Sequence, residues 1–164
     1  MLYDDIFSEF DREQVRYLVV GGVAVNLHGY VRLTVDLDVM VDLSEKNLLK
    51  ILKIMERLDY TPRVPVNPSD LVSEEKRNAW IREKGAIVFT YVHLRKASRQ
   101  LDFFLANPID FENAYGRKQL KEVFGIRIPV ASIADIIALK TVSARPRDNE
   151  DVEHQKRIKH AGTK

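Results

Sequence analysis

The sequence predicts an α+β fold, with a mixed β-sheet and helices packed mainly on one face of it. Short apolar runs typical of strands alternate irregularly with segments of helical periodicity. The strands are too short and too varied for a regular doubly wound sheet. With 164 residues, of which 45% are hydrophobic and 30% charged, the chain is long enough to bury a real core. We therefore expect one domain over residues 1–164.

Periodicity and capping residues predict the elements of the N-terminal half. A stripe of apolar residues predicts a helix over Tyr3–Glu13, and the apolar run Arg16–Val20 predicts the first strand. A short helix is expected from Gly22 to about His28. Ser44 is a suitable N-cap for a helix over Glu45–Leu58, in which leucines and a methionine recur at helical spacing.

The C-terminal half is predicted to contain an edge strand or linker at Tyr60–Val66, a polar helix at Pro68–Glu83, strands at Ala86–Leu94, Gln100–Ala106 and Glu122–Val130, and helices at Ser132–Ala144 and Asp148–His160. The two strands before residue 107 flank a basic hairpin loop. Ser132 and Asp135 form a capping box at the start of the next helix. We expect the C-terminal helices, about residues 132–160, to close a cleft.

Composition excludes several classes of protein. The chain has no cysteine, which rules out disulfides, thiolate metal sites and cysteine nucleophiles. A formal net charge of +2 does not by itself indicate a nucleic-acid-binding protein. No apolar run approaches the length of a membrane span, and the N-terminus lacks the pattern of a signal peptide. We therefore expect a cytoplasmic protein with no membrane partner.

Two aspartates one residue apart are the strongest chemical signal. Asp36 and Asp38 lie in a predicted strand, Val35–Asp42, whose apolar residues alternate with period two. Residues two apart on a strand share a face, so the two carboxylates lie side by side, which is costly unless a cation lies between them. A divalent metal ion is the obvious candidate. The alternative is a solvated strand face.

A third carboxylate and a lysine extend this hypothesis. Asp102 interrupts an otherwise apolar strand, where an aspartate is costly unless it is exposed or paired. It is the best candidate for a further metal ligand, although a surface-facing aspartate is the alternative. Lys140 continues the inward stripe of its helix, so its side chain either extends out to solvent or points into a cleft, where it would contact a triphosphate.

Gly21-Gly22 follows the first strand and precedes a helix. Such a turn lets the backbone approach an anion closely, although most such turns have no ligand. Neither a P-loop nor a dinucleotide-binding motif is present. Arg32 and Thr34 lead into the acidic strand and are candidates for contacts to phosphates or to the base.

Gly21-Gly22, thirteen intervening residues and then Asp36-Leu37-Asp38 resemble the signature of the polymerase-beta-type nucleotidyltransferase superfamily. The longer run from Gly21 to Asp38 is similar to a small prokaryotic subgroup related to abortive-infection and toxin–antitoxin nucleotidyltransferases. The segments Asp135–Lys140 and Arg147–Val152 also resemble that subgroup.

The resemblance implies a nucleotidyltransferase-like fold and Mg²⁺-dependent transfer of a nucleoside monophosphate from a nucleoside triphosphate to an acceptor hydroxyl. Two Mg²⁺ ions would be held by Asp36, Asp38 and Asp102, with Asp102 as an additional ligand and a base for the acceptor. The two glycines would cradle the phosphates, and Lys140 would neutralise charge on the pyrophosphate.

Three functional hypotheses remain at this point. The first is an active transferase that modifies RNA, a protein or a small molecule. The second is a catalytically silent regulatory protein of a toxin–antitoxin pair that retains the fold, although intact carboxylates favour the first. The third is a metal-dependent phosphohydrolase. Such enzymes usually add histidine ligands to similar acidic residues, but the four histidines of this chain do not have the spacing of metal ligands.

Overall fold

A computed structural model describes residues 2–143 and 155–162. The strands are β1 Tyr17–Val20, β2 Leu37–Val41, β3 Tyr60–Pro62, β4 Val88–His93, β5 Lys96–Phe104, β6 Gln119–Val123 and β7 Ile126–Val130. The helices are α1 Asp4–Arg12, α2 Gly21–Leu27, α3 Glu45–Arg57, a 3₁₀ helix Pro68–Val72, α4 Glu74–Lys84, α5 Phe111–Gly116 and α6 Ile133–Ser143. Residues 155–161 are also helical.

The strands form a seven-stranded mixed sheet in the order β3-β4-β5-β2-β1-β7-β6. β2 pairs in parallel with β5, and β1 pairs in parallel with β7, whereas the remaining neighbours are antiparallel. The predicted α+β fold with a mixed sheet is therefore confirmed.

Side chains that alternate along the central strands separate the two faces of the sheet. The odd-numbered residues of β2 and, from Arg99 onward, of β5 are buried, among them Leu37, Val39, Leu101 and Phe103. Asp38 near the start of β2 is partly buried, and the even-numbered residues of β5 are partly buried or exposed. The sheet thus has one fully covered face and one face that stays open over β4, β5 and the start of β2.

Helices α1, α3 and α4 supply the cover of the buried face. The Tyr17 ring of β1 packs edge-on against Phe10 of α1, with ring centroids 4.9 Å apart. The Trp80 ring of α4 stacks on Phe89 of β4 at 6.0 Å. α3 begins where the Ser44 hydroxyl accepts a hydrogen bond from the Asn47 amide. Burial of these apolar stripes fixes the sheet against one helical layer.

Two predicted elements differ from those observed, and one observed helix was not predicted, each because of local backbone chemistry. The predicted helix Pro68–Glu83 is two helices, because Ser73 is extended and its hydroxyl caps α4. The predicted strand Glu122–Val130 is a hairpin, because Phe124 and Gly125 both have positive φ and form a two-residue turn. Helix α5 was not predicted; Asp110 caps it through the Asn113 amide.

Among the described residues, no helix combines the length and the apolar character that a membrane span requires. The predicted final helix Asp148–His160 can be compared only from residue 155 onward. Its first part, together with the Arg147–Val152 segment, lies outside the described residues.

Candidate functional site

The three carboxylates predicted to act together lie on two adjacent parallel strands. Asp38 on β2 is the direct register partner of Asp102 on β5. Asp36 immediately precedes β2 and has the same parity as Asp38. Because even-numbered residues here face away from the helical layer, all three carboxylates belong to the open face of the sheet.

Burial and mutual repulsion raise the pKa of the central carboxyl group. The pKa of Asp38 is raised to about 7, first by burial and then by the charges of Asp102 and Asp36. Burial also raises the pKa of Asp102, an effect that a hydrogen bond from Thr90 partly offsets. The carboxylates therefore form a strained, electrostatically coupled group that a cation would stabilise.

Two cationic side chains lie on the Asp38 side of this group. The charges of Arg32 and Lys140 both lower the pKa of Asp38, against the effect of burial. Lys140 is only 7% exposed, so its side chain does not extend out to solvent. Of the two orientations open to this lysine, the structure has the one that points inward.

Helix α6 brings Lys140 to this position, and its start is firmly attached. The Asp135 carboxylate accepts hydrogen bonds from Arg117 at 2.8 and 3.1 Å and from the Ser132 hydroxyl at 2.7 Å. Burial raises the pKa of Asp135, but the hydrogen bonds from Arg117 and Ser132 outweigh it and lower that pKa. The ion pair, in which the Asp135 carboxylate is buried and Arg117 is half-exposed, thus fixes the start of the helix from which the lysine projects.

The two glycines are the first residues of α2, and each is covered by a candidate site residue. A Cβ at Gly21, whose φ is +62°, would lie 2.3 Å from Oδ2 of Asp38. A Cβ at Gly22 would lie 2.5 Å from the Thr34 hydroxyl and 2.9 Å from a terminal nitrogen of Arg32. Only glycine leaves room at these positions, so all the predicted site residues converge on one region.

The donor atoms here suit a hard divalent cation. They are all carboxylate oxygens, the ligands that Mg²⁺ prefers, and Oδ1 of Asp102 is buried without a hydrogen-bond partner among the described residues. In the described part of the chain, however, no group of three Asp, Glu, His or Cys side chains is arranged to hold one ion. The three-carboxylate ligand set therefore stays a prediction.

Three residues near the carboxylates were not predicted from the sequence. Thr90 faces Asp102 across β4 and β5. The charge of Arg63 lowers the pKa of Asp102. The Tyr3 hydroxyl donates a hydrogen bond to the Val35 carbonyl and accepts one from the amide that follows Arg99. No sequence motif marks them, because their relation to the carboxylates arises only from strand pairing and helix packing.

A separate cavity of about 380 Å³ lies beyond the other end of β5. The buried Arg77 and the half-buried Asn107 line it, and no predicted site residue does. Arg77 donates hydrogen bonds to the carbonyls of Leu71 and Val72. This cavity is therefore distinct from the carboxylate region.

Comparison with known families gives a match over nearly the whole chain. Residues 3–162 match the model of a family described as "Nucleotidyltransferase of unknown function (DUF6036)". No curated protein matches this chain significantly.

Solved structures with the same fold include an antibiotic adenylyltransferase and an antibiotic-resistance factor. Lincomycin-bound LnuA, a lincosamide antibiotic adenylyltransferase, is 18% identical, with a TM-score of 0.62 and 93% of each chain covered. The solution structure of the antibiotic-resistance factor ANT(2'')-Ia is 16% identical, with a TM-score of 0.60, covering 99% of this chain and 83% of that one. ANT(2'')-Ia in complex with adenylyl-2''-tobramycin is 14% identical, with a TM-score of 0.56 and coverages of 98% and 94%. At these identities the likeness shows a shared fold.

Proposed function

Because the chain belongs to the nucleotidyltransferase family whose model spans residues 3–162, we propose that it transfers a nucleoside monophosphate from a Mg²⁺-bound nucleoside triphosphate to an acceptor hydroxyl. The observation that carries this proposal is the pairing of Asp38 with Asp102 beside Asp36, with Lys140 and Arg32 on one side. In the reaction, the acceptor oxygen forms a bond to the α-phosphorus, the bond to pyrophosphate breaks, and the hydroxyl proton is released.

The carboxylates are the residues that would hold Mg²⁺, with Asp36 and Asp38 binding both ions and Asp102 adding a ligand. When bound, Mg²⁺ neutralises the triphosphate and lowers the pKa of the acceptor hydroxyl. The Asp102 carboxylate, on the strand next to Asp38, is the group that takes the hydroxyl proton.

The residues on the Asp38 side bind the triphosphate. Gly21 and Gly22 bring the backbone close to the phosphates, and Arg32 and Thr34 lie directly over Gly22. Lys140 stabilises the charge that develops on the leaving pyrophosphate. A buried lysine suits this role because its charge is poorly screened by solvent.

Finer features of the function stay predictions. We propose a relationship to the toxin–antitoxin subgroup, and a partner protein from such a pair, on the basis of the sequence resemblance. We propose a cytoplasmic location on the basis of composition. The closing of the cleft by the C-terminal helices of a single domain is likewise a proposal. A catalytically silent regulatory protein is the alternative, and retention of all three coupled carboxylates favours the enzyme.

The proposal is tested by nucleotide binding and label transfer with isosteric variants. Wild type should bind each nucleoside triphosphate only with Mg²⁺ and should transfer label from an α-labelled triphosphate to RNA, protein or small molecules in a cell extract. We expect Asp36→Asn, Asp38→Asn and Asp102→Asn to abolish the transfer. Asp110→Asn is the matched control, because asparagine caps α5 as well as aspartate does. Equal Mg²⁺-dependent binding by wild type and Asp38→Asn would refute the proposal.

A further inference from the structure

A row of residues crosses the open face of the sheet beyond Asp102. Asp38 of β2 pairs with Asp102 of β5, which pairs with Thr90 of β4. The Arg63 amide, one residue past β3, donates a hydrogen bond to the Thr90 carbonyl at 2.9 Å. Arg63 therefore continues the row on the side of Asp102 that is opposite to Asp38.

The Arg63 side chain is held over β5 by a neutral group. Its guanidinium donates a hydrogen bond to the Gln100 side-chain carbonyl, two residues from Asp102 on the same face. Within the described residues, Arg63 forms no ion pair, unlike the exposed arginines Arg12 and Arg57, which pair with Glu9. Arg63 is exposed, so its positive charge is available to a ligand on the open face.

Cationic groups thus flank the carboxylates on two different sides. Arg32 and Lys140 act on Asp38, and Arg63 acts on Asp102. If the triphosphate occupies the Asp38 side, the acceptor occupies the Asp102 side. The groups closest to the reacting hydroxyl of the acceptor are then the Arg63 guanidinium and the Gln100 side-chain amide. A polycationic acceptor would be repelled there.

We propose, on the basis of the function proposed above, that the acceptor is phosphorylated and that Arg63 binds a phosphate close to the reacting hydroxyl. A planar guanidinium suits this task because it binds phosphate through two parallel hydrogen bonds. Gln100 fixes the orientation of Arg63, and Thr90 spaces it from Asp102. A free nucleotide and an RNA 3′ end both supply this chemistry.

The test measures binding, so it does not depend on finding the natural acceptor. Wild type and Arg63→Gln are saturated with Mg²⁺ and α,β-methylene triphosphate analogues, which block transfer. A fluorescent ten-nucleotide RNA with a 3′-hydroxyl, a nucleoside 5′-monophosphate, tobramycin and a tyrosine-containing peptide are then titrated in. Arg12→Gln is the matched control, because it removes the same charge from a helix on the opposite face of the sheet.

We expect Arg63→Gln to weaken binding of a phosphate-bearing probe about tenfold, with Arg63→Lys intermediate and Arg12→Gln unchanged. Preference for RNA over the monophosphate would identify a polymer as the source of the phosphate, and the reverse would identify a free nucleotide. Equal binding of both phosphate-bearing probes by wild type and Arg63→Gln, or binding of tobramycin or the peptide alone, would overturn the inference. Failure of wild type to bind the Mg²⁺-analogue complex would instead refute the proposed function.

Discussion

At the scale of single residues, Gly21 shows how little space the site leaves. Its φ of +62° disfavours any side chain, and a Cβ would also meet Oδ2 of Asp38 at 2.3 Å. We expect Gly21→Ala to displace the Asp38 carboxylate and to weaken Mg²⁺–triphosphate binding more than tenfold, because the clash adds to a backbone strain of about 1 kcal/mol. Isothermal titration calorimetry gives the dissociation constant.

Gly85 provides the control for this substitution. Its φ is +61°, nearly the same as that of Gly21, but a Cβ there would meet nothing within 4 Å. Gly85→Ala should therefore cause similar backbone strain without affecting ligand binding. If both variants lost affinity equally, general destabilisation and not contact with Asp38 would explain the effect.

The raised pKa of Asp38 also affects the stability of the protein, because the ionised carboxylate is less favourable in the folded state than in the unfolded chain. Folding raises this pKa from about 3.9 to about 7, so wild type loses stability as the pH rises through that window. Without Mg²⁺, Asp38→Asn should be about 4 kcal/mol more stable than wild type at pH 8, because the pKa rises by roughly three units, each of which corresponds to about 1.4 kcal/mol. At pH 4 the two should be nearly equal.

Chemical denaturation at both pH values measures the difference in free energy of unfolding. Asp110→Asn, which changes an exposed capping residue, should show no comparable gain at pH 8. A variant that is less stable than wild type at pH 8 would show that Arg32 and Lys140 compensate fully for the burial of the carboxylate.

Sequence alone could indicate the acidic residues but not their neighbours. An aspartate within an apolar strand, such as Asp102, is chemically conspicuous in any sequence. Arg63 follows a proline in a segment predicted only as an edge strand or linker, and Thr90 is an ordinary strand residue. Their proximity to Asp102 depends on the register of β3, β4 and β5, which local sequence does not specify.

At the scale of secondary-structure elements, Tyr3 joins the two strands that carry the carboxylates. Regular pairing of β2 with β5 begins at Leu37 and Leu101. Just before that point, the Tyr3 hydroxyl bridges the Val35 carbonyl and the Gln100 amide. Tyr3 is 2% exposed and immediately precedes α1, so its hydroxyl is enclosed between the helix and the two strands. It acts as a positioning residue for Asp36 and Asp102.

Tyr3→Phe removes only this bridge. We expect the free energy of unfolding to fall by about 1 kcal/mol, because a partly buried carbonyl and a partly buried amide lose a partner. We also expect faster hydrogen exchange at the Gln100 amide and weaker Mg²⁺–triphosphate binding, measured by NMR and calorimetry. The last effect separates positioning of the carboxylates from simple support of the fold.

Tyr91→Phe is the matched control, because the Tyr91 hydroxyl is also buried but has no hydrogen-bond partner among the described residues. Its removal should leave both stability and binding nearly unchanged. Reduced stability of Tyr3→Phe with unaltered ligand binding would contradict the positioning role.

The elements that sequence analysis missed are those set by a few residues. Helix α5 has only six residues, so its apolar pattern is too short to indicate a helix, and its one clear signal is the capping residue Asp110. The turn at Phe124-Gly125 requires positive φ at a phenylalanine, which sequence preference disfavours. By contrast, α3 has thirteen residues, a serine cap and a long apolar stripe, so its prediction required no tertiary information.

At the scale of the whole molecule, the candidate site exists only in the folded chain. Its members extend from Gly21 to Lys140, and its two acidic strands are parallel neighbours far apart in sequence. The unfolded chain cannot hold them together, so a ligand of the site binds almost solely to the folded state. Binding must therefore stabilise all the elements that carry the site and not one of them alone.

This coupling gives a quantitative expectation. Mg²⁺ with a nucleoside triphosphate should raise the free energy of unfolding of wild type by about 1.4 kcal/mol for each tenfold increase in ligand above its dissociation constant. Asp102→Asn should largely abolish the increase, whereas Asp110→Asn should retain it. Denaturant titrations at several ligand concentrations measure it, and an unchanged m-value would show that the ligand does not alter the surface exposed on unfolding. A stabilisation that is equally large in Asp102→Asn would place the ligand elsewhere, for example in the cavity lined by Arg77.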